Sequence, residues 1–286
     1  MSIWATIDIG TNSVRLLIAQ TEAGQIKPLY RKTVSARLGE GMKKTILPQA
    51  GDRVINTLKE YKLITEEYEI NNFRLAGTQF LREADNTEEF KARVLREVSW
   101  QLEVLSGIQE ASLSYLGATR NLPMQSPAAV LDIGAGSTEI MLSSDMGVSM
   151  PIGSLRLFEQ PKTAVELQSF VKPYLQPLIF PKDSVLIGVG GICTTLGAIH
   201  LNMDVYDPDK VSGLLMTKTE VENIESRLLA LTPTERLGLP GIIPGREDIM
   251  PAGVQILLAV MTFLNFREFI VQDADLLFGM IEINRP

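Results

Sequence analysis

A single cysteine and a single histidine in 286 residues set the first limits on the chemistry open to this chain. Cys193 alone allows no disulfide framework and no thiolate-rich metal site, and it fits a reducing cytosol. No Arg stands six residues after it, as a cysteine phosphatase would need. His200 lies among Leu and Ile and reads as a packed helix residue, which argues against a histidine nucleophile or a His-metal cluster. No G-x-x-x-x-G-K-[ST] run occurs, so a P-loop of the usual kind is excluded. Asp273-Ala-Asp275 has the spacing of an aspartyl-phosphatase pair, but an apolar C-terminal helix is the wrong place for one. Positive charge is scarce too. A net charge of −7 argues against a general nucleic-acid binder, and any polyanion must be held by a local basic cluster. The most apolar helical run, residues 254–266, is too short and too interrupted by Gln255, Thr262 and Asn265 to span a bilayer. The start of the chain has no basic region followed by an apolar run and a cleavage site. No signal peptide is expected, and the reading is cytoplasmic with no membrane partner.

What is present is a soluble globular composition, 45% apolar and 21% charged, in a chain long enough for two domains. Residues 7–19, Ile-Asp-Ile-Gly-Thr-Asn-Ser-Val-Arg-Leu-Leu-Ile-Ala, read as a buried strand, a tight turn and a second strand. Asp8 sits where the first strand ends, and Gly10 is expected at the positive φ that so tight a turn usually requires. Thr11, Asn12 and Ser13 supply hydroxyl, amide and N–H donors. Such a turn is an anion nest, and a carboxylate beside it suits a metal-bound phosphate. An ordinary core hairpin with a polar turn would look the same. Residues 131–142, however, repeat the layout: Asp132 matches Asp8, Gly134 matches Gly10, and Ser137 matches Ser13. Two such hairpins imply two related domains facing each other across a cleft. A third turn, Gly188-Val189-Gly190-Gly191, fails the dinucleotide fingerprint at Cys193 and reads as another backbone approach to the same ligand.

Between the hairpins, residues 26–34 read as a strand, with Pro28 pointing to an edge position. Residues 37–42 read as a flexible loop flanked by basic residues, including Lys43. Val54, Leu58 and Tyr61 recur at helical spacing within residues 50–67. Residues 73–76 form a short strand that ends in the polar turn Gly77-Thr78-Gln79. Arg82 follows, either a phosphate contact or a surface partner of Glu83 or Asp85. Asn86 with Glu89, and Ser106 with Gln109, have helix-capping spacing. Glu110 is not needed for that cap. It is either a favourable charge in the first helical turn or a general base at the mouth of the cleft. The domain boundary is expected near Asn121–Ser126, giving residues 1–123 and 124–274.

Seven motifs then occur in order over nearly the whole chain. They are Asp8-Ile-Gly-Thr-Asn-Ser, Gly77-Thr-Gln-Phe-Leu-Arg82-Glu-Ala, Ser106-Gly-Ile-Gln-Glu110-Ala and Asp132-Ile-Gly-Ala-Gly-Ser-Thr-Glu139, followed by Gly153-Ser-Leu-Arg156-Leu, Gly188-Val-Gly-Gly-Ile-Cys-Thr-Thr-Leu and Leu239-Pro-Gly-Ile-Ile-Pro-Gly-Arg246-Glu-Asp248. Together they resemble the exopolyphosphatase / guanosine pentaphosphate phosphohydrolase (Ppx/GppA) family. The resemblance implies an α/β fold, two ribonuclease-H-like domains of the actin-like ATPase superfamily around a central cleft. Residues from about 275 to 286 would pack back on the first domain. It also implies Mg²⁺-dependent release of terminal phosphate from inorganic polyphosphate or guanosine pentaphosphate.

Carried over by position, the resemblance makes Glu110 the general base and Arg82 the phosphate-binding arginine. Asp132 and Glu139, joined by Asp8, become the metal and phosphate carboxylates. The phosphate turns become Gly10, Thr11, Asn12 and Ser13, then Gly134, Ala135, Gly136 and Ser137, then Gly190 and Gly191. Departures from the family pattern are Gln109 for Glu, Ala135 for Gly, Ser212 for His, and Asp275-Leu-Leu-Phe-Gly279 for Gly-Leu-Arg-Glu-Gly. The chain stops before the helical domains of longer members, so short phosphate chains are the expected preference. An ATP-dependent kinase of the same fold and a non-catalytic polyphosphate or alarmone sensor stay open as alternatives. So does a homodimer.

Overall fold

The computed structural model describes residues 1–42, 44–120 and 126–282. Lys43 and the expected boundary residues 121–125 lie outside them, as do residues 283–286. The first sheet holds β1 (Ser2–Ile9), β2 (Ser13–Glu22), β3 (Gln25–Ser35), β4 (Asn72–Gly77) and β5 (Glu103–Val104), in the order β3-β2-β1-β4-β5. The second holds β6 (Ala128–Ile133), β7 (Thr138–Met141), β8 (Gly147–Met150), β9 (Val185–Val189), β10 (Leu215–Thr217) and β11 (Glu268–Val271), in the order β8-β7-β6-β9-β11-β10. In each, an antiparallel hairpin comes first and a parallel strand then joins the other side of its first strand. Both sheets therefore carry the ribonuclease-H-like strand order, and β10 is an addition to the second. Their pairing around a cleft is the actin-like ATPase fold.

Strand alternation decides which side chains reach the cleft. In β1, Ala5, Ile7 and Ile9 face a core completed by the helices Pro48–Glu66 and Thr87–Val98. Trp4, Thr6 and Asp8 point the other way, and so do Arg15 and Leu17 of β2. That second face is covered by the helix Leu276–Glu282, through Leu276, Phe278, Met280 and Ile281. Thr6 Oγ1 donates to Leu277 O at 3.1 Å and ties the helix to β1. In the second sheet, Ala129, Leu131 and Ile133 enter a core shared with the largely apolar helix Met250–Leu264. Ala128, Val130 and Asp132 face the helix Gly107–Thr119 instead. That helix lies between the two sheets.

Several local expectations change. Gly10 does not take positive φ, whereas Gly190 does, at 77°. Asn86 occupies the N-cap position, but its side chain is spent on the loop before it, with Oδ1 accepting from Ile46 N at 2.9 Å. His200 ends its helix exposed, 3.9 Å from Glu220, and is not a packed residue. The loop expected to be flexible is docked: Leu38 is buried, and the N–H groups of Arg37 and Gly39 donate to Asn12 O and Thr11 O at 2.7 and 2.8 Å. Pro28 does lie on an edge strand. The β2–β3 register slips at Ile18/Ala19, where Pro28 and Tyr30 are the successive partners.

Candidate active site

The two hairpin turns close in the same way. Gly10 N donates to Ser13 O at 2.9 Å, and Gly134 N donates to Ser137 O at 3.0 Å. In each, the turn carbonyls are used by neighbouring segments. Those of Thr11 and Asn12 serve the loop at residues 37–39; those of Gly134 and Ala135 accept from Ser154, Leu155 and Arg156. What such a turn retains for a ligand is its N–H groups, the requirement for an anion nest. The turns touch across the cleft. A Cβ on Gly136 would lie 1.8 Å from Gln79 Oε1 and 2.7 Å from Thr11 Oγ1. Ala135 has no positive φ to accommodate and fits without strain. The third turn allows two more approaches: a Cβ on Gly190 would lie 2.5 Å from Asp132 Oδ1, and one on Gly191 would lie 2.5 Å from Arg246 Cζ.

These turns wall a cavity of about 90 Å³, room enough for a phosphate group. Asp8, Glu110 and Asp132 face into it, and so do all ten turn residues expected from the sequence. The register explains how the carboxylates are held. Asp8 is paired across β1–β2 with Arg15, whose Nε and Nη2 reach Asp8 Oδ2 at 3.0 and 2.8 Å. At the equivalent place in the second hairpin, Asp132 stands opposite Glu139. Ser114 Oγ donates to Asp132 Oδ2 at 2.7 Å, and Ser149 Oγ donates to Glu139 Oε1 at 2.6 Å. Glu110 and Ser114 are one helical turn apart on Gly107–Thr119, on one face. The Ser106–Gln109 capping box starts that helix and fixes Glu110 in its first turn.

Burial dominates the electrostatics. It pushes Glu110 up to about 7 against the opposing Arg82 guanidinium, whose Nη1 lies 2.5 Å from Oε2. Asp132 is raised to about 6, by burial first and by Asp275 second. Burial raises Glu139 well above the carboxylate range, helped by Glu110 and Asp132. Asp8 is raised by burial in spite of Arg15.

Two expected residues are not on the cavity wall. Arg82 sits behind Glu110, donating to it and to Leu105 O at 3.0 Å, and Glu139 is 2% exposed behind Asp132. Among the described residues no three His, Cys, Asp or Glu side chains form a ready-made cation cage. Conversely, the cavity contains Arg15, Arg246, Thr78, Gln79 and Ser154, to which the sequence reading assigned no role. Arg246 Nη1 donates to Gly191 O and Thr195 Oγ1, each at 2.8 Å. The available signal for Arg15 was a lone charge within the apolar strand Val14-Arg-Leu-Leu-Ile-Ala.

Comparisons with known proteins point to one family. A family model described as the Ppx/GppA phosphatase family matches residues 17–282. An exopolyphosphatase 2 of Mycobacterium tuberculosis is 30% identical over 96% of this chain and 96% of its own length. A bifunctional 3-dehydroquinate synthase/phosphatase of Fusobacterium nucleatum is 30% identical over 97% of this chain, which spans 46% of that longer protein. The solved structure of the Aquifex aeolicus PPX-GPPA enzyme superposes with a TM-score of 0.82, at 29% identity, covering 98% of both chains.

Proposed function

The chain belongs to the Ppx/GppA phosphatase family, and from that premise we propose that it releases terminal phosphate from inorganic polyphosphate or from guanosine pentaphosphate by in-line attack of water. The observation that carries the reading is Glu110, poised near neutrality on the wall of a cavity between two repeated turns. Phosphoryl transfer needs positioning and charge neutralisation more than covalent help. The turn N–H groups and Arg15 line the cavity that takes the phosphate, and Gln79, which accepts from Thr11 Oγ1 at 3.2 Å, lies between the two turns. Glu110 accepts the proton of the attacking water, and Arg82 orients Glu110 from behind.

The residues fit a divalent cation. Asp8 Oδ1 is buried without a hydrogen-bond partner. Five carboxylates, Asp8, Glu110, Asp132, Glu139 and Asp275, are set against three guanidiniums, those of Arg15, Arg82 and Arg246. Mg²⁺ is commonly held by one or two carboxylates plus substrate oxygens, so no protein cage is required. Asp132 and Asp8 are the residues that would hold it, and it would supply charge neutralisation for the phosphate oxygens.

The test is phosphate release in Mg²⁺ from polyphosphate of two lengths, guanosine pentaphosphate and ATP, with Glu110→Gln as control. Release that falls about 10²–10⁴-fold in the variant supports the hydrolase and selects its substrate. Binding of either ligand without release would replace the hydrolase by a sensor, and turnover of ATP alone would point to a kinase.

A further inference from the structure

We propose that Asp275 is a specificity-determining residue, a negative charge at the neck between the phosphate cavity and a second cavity that disfavours extension of a phosphate chain beyond its reacting end. The inference rests on the polyphosphate reading above. The second cavity, of about 250 Å³, shares Arg15, Gly190, Gly191 and Arg246 with the first, so the two are contiguous at these residues. A phosphate held in the first cavity has the second as space for the rest of its chain. Asp275 lines the second cavity only.

The bonds of Asp275 explain both its place and its effect. It is 3% exposed. Its Oδ1 accepts from Leu277 N at 3.1 Å, and its carbonyl accepts from Phe278 and Gly279 N, each at 3.0 Å, so it caps the helix Leu276–Glu282. Its Oδ2 accepts from Arg15 Nη1, while the other edge of Arg15 serves Asp8. Asp275 thereby offsets the charge of a guanidinium that lines both cavities, where an anionic chain needs positive charge. Of the other cations on the second cavity, Arg31 is paired with Asp273 and Lys32 with Glu60, while Arg246 donates to the neutral Gly191 O and Thr195 Oγ1 and keeps its charge. Neutralising Asp275 would give Arg15 Nη1 back to the cavity. Asn is as good an N-cap as Asp, so Asp275→Asn removes the charge and keeps the cap.

KM and kcat for tripolyphosphate and for long polymer, with the inhibition constant for inorganic phosphate, are to be measured in wild type, Asp275→Asn and Asp275→Glu. Asp275→Asn is expected to lower KM for the polymer by about tenfold, with a steeper salt dependence and a smaller change for inorganic phosphate and kcat. Asp275→Glu, which keeps the charge, should retain the wild-type KM. An unchanged polymer KM in Asp275→Asn overturns the barrier. Equal tightening toward phosphate and polymer overturns its location at the neck. If the wild type releases no phosphate, the hydrolase reading fails. Calorimetric titration of polymer into the same proteins then decides the barrier alone: tighter binding by the Asn variant supports it, and equal affinity overturns it.

Discussion

Glu110 stands near neutrality because burial, which raises its pKa, outweighs the Arg82 guanidinium that lowers it. A base must be deprotonated to act, so kcat/KM should rise with pH and level off above about 7. Arg82→Gln removes the opposing charge and should move that inflection to higher pH; a pH–rate profile of the two proteins checks it. An inflection unmoved in the variant would assign the titration to another group. Gly190 carries a separate constraint. At φ 77° it is strained for any other residue, and a Cβ there would drive Asp132 off its position. Gly190→Ala should cost about 1–3 kcal/mol of stability by thermal unfolding, and phosphate release should fall with it. The aspartates and turn donors were legible because each lies within a few residues of a strand end. Arg15 was not, because its meaning depends on Asp275, 260 residues away. Arg82 was legible as a cation near the cleft, but its direction, toward Glu110 and away from the cavity, was not.

Among the secondary-structure elements, the repeated hairpin was the most readable, since alternation and the Asp-x-Gly spacing are local. The capping box of Gly107–Thr119 was equally local. The docked loop at residues 37–42 was misread because its order comes from N–H donors to the first turn, a tertiary contact with no composition signal. The helices Gly107–Thr119 and Leu276–Glu282 meet in a close backbone contact. A Cβ on Gly117 would lie 2.1 Å from Asp275 O, and one on Gly279 would lie 1.9 Å from Leu113 O. Backbone packs on backbone, and neither partner can yield by a rotamer change. Gly279→Ala should therefore destabilise the protein by about 1–3 kcal/mol, the usual cost of overpacking, measured by denaturant unfolding. Because the same joint positions the helix bearing Glu110, kcat should fall even in the fraction that stays folded. An unaltered kcat would separate the joint from the site.

Across the whole molecule, the buried acids couple stability to pH. Glu110 at about 7, Asp132 at about 6 and Glu139 above its usual range bind protons in the folded state that the unfolded chain releases near pH 4. Stability then falls as pH rises from about 4 to 7. The melting temperature should be higher at pH 5.5 than at pH 8, and Glu110→Gln should flatten the slope. A melting temperature that climbs with pH would mean that the acids are compensated by something other than burial. The two-sheet plan was legible from the repeat, while the closeness of the walls was not, since Gly136 against Gln79 is a contact between distant segments. The two hairpins are copies in outline but not in sign: the residue opposite the aspartate is Arg15 in one and Glu139 in the other. The backbone repeat is therefore not an electrostatic one: a charge pair backs one turn, and two buried acids with raised pKa values back the other, so the cleft is asymmetric although its two walls share one plan.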